Sequence, residues 1–93
     1  MRLMLRFTIP VERGNQAQLD DSLSRALKSL IDELTPEAAY FHLDDGKRAG
    51  TLVFEETDQS RLAIVNESLF KHCHAAIDIQ PVLNLDDLMK GLE

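Results

Sequence analysis

Read with a period of two, residues 2–9 place Leu3, Leu5, Phe7 and Ile9 on one side of an extended chain and Arg2, Met4, Arg6 and Thr8 on the other. The alternation recurs three times. Residues 39–43 set Ala39, Phe41 and Leu43 against Tyr40 and His42, and residues 51–56 set Leu52 and Phe54 against Thr51, Val53 and Glu55. Residues 75–80 set Ala75, Ile77 and Ile79 against Ala76, Asp78 and Gln80. Each run predicts a strand with one apolar face for helices and one mixed face. A mixed face of this kind can meet solvent, a second subunit or a ligand.

Between the strands the period changes to that of a helix. Leu19, Leu23, Leu27, Leu30, Ile31 and Leu34 recur at spacings of three and four, which predicts one long helix over 15–34. Pro10 ends the first strand by withholding a donor, Gly14-Asn15 reads as a turn with a helix cap, and Thr35-Pro36 stops the helix. Asp58 is expected to cap a second helix over 59–71, with Leu62, Val65, Leu69 and Phe70 on one side. After Pro81, Asn84 caps a short helix carrying Leu85, Leu88, Met89 and Leu92, with Asp86 and Asp87 in its first turn.

Asp45-Gly46 is a favoured pair for a two-residue type I′ turn. A hairpin closed there sets Asp44 opposite Lys47, Tyr40 opposite Thr51 and Ala39 opposite Leu52, in agreement with the alternation of each strand. The order strand, helix, strand, strand, helix, strand, short helix is the split β-α-β arrangement. The fold class expected is therefore α+β: ferredoxin-like βαββαβ with a short C-terminal helix and a four-stranded antiparallel sheet ordered 4-1-3-2, one domain over residues 1–93. Both long helices cover one face. On the open face, central Arg6 is expected between Asp78 and Glu55, with Tyr40 and His42 on the edge strand.

Composition narrows the functions. The 93 residues carry sixteen acidic and ten basic side chains, a formal charge of −6, without a basic stripe, so nucleic acid is not an expected partner. No apolar run approaches the ~18 residues of a membrane span, and no signal-peptide pattern opens the chain. With a single cysteine, Cys73, no internal disulfide can form, and a cytoplasmic protein is expected. His72-Cys73-His74 cannot aim three neighbouring side chains at one point and has no second ligand cluster, so no metal is expected; a loop is expected there instead. The four glycines are scattered, no phosphate loop or flavin motif is present, and no cofactor is expected.

The segments Met4-Leu5-Arg6-Phe7-Thr8-Ile9-Pro10-Val11-Glu12 with Gly14-Asn15, Pro36-Glu37-Ala38-Ala39-Tyr40-Phe41 with Asp45-Gly46-Lys47-Arg48, and Gln80-Pro81-Val82-Leu83-Asn84-Leu85-Asp86-Asp87-Leu88 carry a resemblance over nearly the whole chain. The sequence resembles small uncharacterised bacterial proteins of the dimeric α/β-barrel superfamily, which also contains muconolactone-isomerase-like and antibiotic-biosynthesis-monooxygenase-like proteins. The resemblance implies a homodimer in which two open sheet faces enclose a space suited to a small molecule. It brings no catalytic set with it.

The candidate site is the cluster Arg6, Tyr40, His42, Glu55 and Asp78. In one reading Arg6 grips an anionic or polar ligand and His42 and Tyr40 contact it. In a second, a cofactor-independent isomerase or monooxygenase-type enzyme acts on a small organic acid or aromatic, with His42 as acid or base, Arg6 as anion clamp and Tyr40 as donor. Against both stands a structural reading in which Arg6 is consumed by ion pairs with Glu55 and Asp78. Lys47-Arg48 reads as a solvated hairpin tip.

Overall fold

A computed structural model describes all 93 residues. The chain runs β1 (Arg2–Ile9), α1 (Val11–Leu19), α2 (Ser22–Leu34), β2 (Ala38–Asp44), β3 (Lys47–Glu55), α3 (Arg61–Cys73), β4 (Ala76–Pro81) and α4 (Leu85–Leu92). The strands form one antiparallel sheet in the order β2-β3-β1-β4, the ferredoxin-like order expected. Leu3, Leu5, Phe7 and Ile9 of β1 and Leu52 and Phe54 of β3 are buried against α2 and α3, which contribute Leu23, Ala26, Leu30, Leu34, Val65, Leu69 and Cys73. That single cluster between sheet and helices is the core.

The hairpin forms with the expected register. Asp44 faces Lys47, Tyr40 faces Thr51 and Ala39 faces Leu52. Both turn residues have positive φ, 52° at Asp45 and 75° at Gly46, as a type I′ turn requires. Thr35 ends α2 in the left-handed region, ahead of Pro36. Asn84 caps α4 in a reciprocal box, its side chain accepting the Asp87 N–H while Asp87 accepts that of Asn84.

The expected helix over 15–34 is two helices instead. Asp20 ends the first by accepting the Ser22 N–H on its Oδ1 at 2.9 Å, and Asp21 turns left-handed with φ of 64°. An aspartate side chain that satisfies a nearby N–H competes with the helical bond, so the apolar stripe continues across a bend. Leu19, beside the bend, is left exposed. Gly14-Asn15 is not a turn either. Pro10 opens α1, its carbonyl accepting the Gly14 N–H at 2.9 Å, and Gly14 is buried inside the helix beneath Arg48. A Cβ there would stand 2.6 Å from Arg48 Nη1, so this glycine serves a close approach.

Other boundaries move for local reasons. β3 begins at Lys47, not 51, because the tight turn lets pairing start at once. Glu56 lies past the strand end, buried, where it accepts the Asp58 N–H at 3.1 Å and meets Arg61 at 3.4 Å. Asp58 caps the turn before α3, taking the N–H and hydroxyl of Ser60, and the helix starts later than expected. It also runs further, so that His72 and Cys73 are helical and His74 is its left-handed C-cap, not a loop. Phe70 is 43% exposed, because Val65, Leu69 and Cys73 already fill the face toward the sheet. Phe41 and Leu43 point to the helix side as expected but are 53% and 75% exposed, since the helices do not cover the edge strand. No residue of α4 is buried.

Candidate functional site

Register assembles the open face in rows. One row across the sheet is Tyr40, Thr51, Arg6 and Asp78; the next is His42, Ala49, Thr8 and Ala76. Arg6 is thus beside Asp78 as expected, but its neighbour on β3 is Thr51. Glu55 sits opposite Arg2, four positions and about 13 Å along the strand. The β1–β3 pairing is made through a helical crossover, and no short turn in the sequence dictates it. Glu55 accepts from the Met1 amino group and belongs to the other end of the sheet.

Arg6 forms no ion pair within 4.0 Å, and neither do Asp78 and Asp44. The structural reading in which Arg6 is consumed by Glu55 and Asp78 is therefore not what the fold makes. Instead Arg6, Thr8, His42, Asp44, Ala76 and Asp78 line an open hollow of about 240 Å³ floored by Ala49 and Gly50. The small residues in the His42 row leave this space between the longer side chains. Tyr40 does not line it: 71% exposed, it stands on the edge strand beyond Thr51.

His42 is held at both ring nitrogens, with Nε2 at 2.8 Å from Thr51 Oγ1 and Nδ1 at 3.1 Å from the Leu43 carbonyl. A carbonyl only accepts, so the neutral ring carries its proton on Nδ1 and accepts the Thr51 hydroxyl on Nε2. Thr51 orients the imidazole, and the hairpin register that placed it opposite Tyr40 is the signal for it in the sequence. Asp44, the last residue of β2, also belongs to the hollow. Behind β2, on the helix side, Phe7, Ile9, Leu23, Leu27, Phe41 and Leu43 border a separate apolar groove of about 360 Å³.

The remaining charged groups serve the frame. Arg2 donates to Glu37 at 2.6 Å and to Asp87 at 2.8 Å, which fastens α4 to the end of the sheet; the Glu37 hydrogen bond holds its guanidinium above an already high pKa. Arg48 crosses Gly14 to donate to Asn15 at 3.1 Å, so the hairpin's cations are partly engaged. Cys73 is buried in the core, where burial pushes its thiol pKa up, while His72 and His74 are exposed; the three do not converge. No group of three or more His, Cys, Asp or Glu side chains is placed to hold a metal ion, and no helix is long and apolar enough to cross a membrane.

No known family model matches the chain, and neither does any curated protein. Among solved structures, it is similar to the de novo designed protein Ferredog-Diesel, at 17% identity over 86% of this chain and 82% of that one, with a TM-score of 0.44.

Proposed function

We propose that the protein is a homodimer joined through its open sheet faces and binds a small polar or anionic molecule in the hollow at Arg6 and His42. The observation that carries this reading is the Arg6 guanidinium, free of ion pairs and lining a hollow that also holds an oriented imidazole. Asp44 and Asp78 in the same hollow disfavour a dianion. They favour a molecule that offers one anionic or acceptor group to Arg6 and donor groups to the carboxylates. For the dimer, Ala38, Val53 and Met4 form a half-buried, largely apolar row across three strands, and no element of the chain covers it. The resemblance to dimeric α/β-barrel proteins supports the same arrangement.

The test is native mass spectrometry of the purified protein beside its Arg6→Ala variant. The expected result is a dimer whose copurified or added small-molecule ligand is lost from the variant. A monomer removes the shared space, and undiminished binding by Arg6→Ala removes the site. The enzymatic reading, a cofactor-independent isomerase or monooxygenase-type reaction with His42 as acid or base, draws on the Thr51–His42 hydrogen bond. Turnover lost in His42→Ala with binding retained would establish it.

A further inference from the structure

A second polar cleft lies in the helix layer, on the side of the sheet away from Arg6. Ser22, Arg25 and Ser29 follow along α2 at intervals of three and four residues and so share a face. On α3, Ser68 and His72 are one turn apart. The two faces meet and, with Ala26, line a cleft of about 240 Å³. A seam between two helices packed on a sheet is ordinarily lined with apolar side chains, as Leu30, Val65 and Leu69 line its lower part, where a smaller hollow of about 110 Å³ continues from Ser29 and Ser68 to Glu33. In the cleft it holds three hydroxyls, a guanidinium and an imidazole.

The balance of charge is the unusual part. In a chain with sixteen acidic and ten basic residues, no carboxylate lines this cleft. Arg25 has no ion pair, and neither ring nitrogen of His72 has a partner. A second guanidinium is close, since Arg13 Nε donates to the His72 carbonyl at 2.9 Å. Ser22 Oγ is buried and makes no hydrogen bond of acceptable geometry, an uncommon state for a buried hydroxyl. At this end Asp21 directly precedes Ser22, and Asp20 takes the Ser22 N–H, lies close to its hydroxyl and feels the charges of Arg13 and Arg25. Glu33, further down the seam, is engaged by Arg61.

We propose that this cleft binds a tetrahedral oxyanion, inorganic phosphate or the phosphoryl group of a small phosphomonoester. Arg25 supplies the charge-assisted hydrogen bonds, Ser29 and Ser68 donate hydroxyls from the two walls, and His72 closes the α3 side. The anion sits toward Ser29 and Ser68, away from Asp20. Two hydroxyl walls facing one guanidinium suit an acceptor with oxygens in several directions, which a planar carboxylate lacks.

The experiment is a titration of the ¹⁵N-labelled protein with inorganic phosphate at constant ionic strength, chloride replacing phosphate in the control, repeated with glycerol phosphate. Saturable shifts at Ser22, Arg25, Ser29, Ser68 and His72 are expected. They should weaken roughly tenfold or more in Arg25→Gln, a substitution of an exposed side chain that the spectrum itself will show to be folded. Arg6→Ala should leave them unchanged, and Asp20→Asn should tighten binding. Tighter binding of the ester than of phosphate identifies the phosphomonoester as the occupant, and equal binding identifies the free ion. Shifts that do not saturate, that persist in Arg25→Gln, or that appear on the open sheet face and not in the cleft overturn the proposal.

Discussion

At Gly50 of β3, an added Cβ would stand 2.5 Å from the Phe7 ring and 3.2 Å from that of Phe41. The two phenylalanines lean toward each other across this position, with centroids 6.5 Å apart. Phe7 is buried and cannot swing aside, so Gly50→Ala should destabilise the protein by about 1–3 kcal/mol in urea denaturation. Glu56 sets another residue-scale dependence, because its buried carboxylate satisfies both the Asp58 N–H and Arg61. Glu56→Ala, which strands the Asp58 N–H and leaves Arg61 to Glu33 alone, should cost about 1–3 kcal/mol on the same measurement. The Ser60 hydroxyl and N–H hold the Asp58 carboxyl below its ordinary value of 3.8. A depressed carboxylate stabilises the fold above its unfolded pKa, and that contribution disappears as pH falls through the folded one. Acid denaturation of Asp58→Asn should therefore show a shallower loss of stability below about pH 4 than the parent. Cys73, buried with a raised pKa, should resist alkylation in the native protein and react once urea unfolds it.

At the scale of elements, the bend between α1 and α2 rests on the left-handed Asp21. A β-branched residue tolerates that conformation poorly, so Asp21→Val should lower the melting temperature by the equivalent of about 1–2 kcal/mol, whereas Asp21→Gly should keep or raise it. The bend also shows why periodicity overstates helix length. Leu19 and Leu23 keep the spacing of a continuous stripe, and only the capping chemistry of Asp20 divides them. Strand alternation and the Asp45-Gly46 turn were legible in the sequence, because each rests on contacts between residues close along the chain. The match of β1 to β3 rests on how α1 and α2 pack, and so Thr51, not Glu55, became the neighbour of Arg6. For α4 the local signals were sufficient: Asn84→Ala should remove about 1 kcal/mol of local helix stability, read as lost α4 helicity by NMR, with little effect on global unfolding.

Over the whole molecule, one helix layer covers one face of the sheet and leaves two surfaces without partners. The open face carries the apolar row of Ala38, Val53 and Met4, and replacing its centre by a charge, Val53→Asp, should shift the proposed dimer to monomer in sedimentation analysis. The sequence showed that this face was mixed; it could not show that Arg6 would be free, since that depends on a register set by the entire fold. The edge position of β2 bears on how the hollow at Arg6 would work. β2 pairs with β3 alone, Phe41 and Leu43 are largely uncovered, and half-buried Ala39 with the Phe41–Phe7 contact joins it to the core. Such a strand detaches at a free-energy cost well below that of global unfolding. His42 and Asp44 ride on it, so one wall of the hollow comes and goes with the strand, and the apparent affinity of any occupant is its intrinsic affinity scaled by the fraction of time the strand is docked. Among the strands, amide exchange should accordingly be fastest in residues 38–44, and an occupant of the hollow should slow it there while leaving the central strand β1 at its original rate.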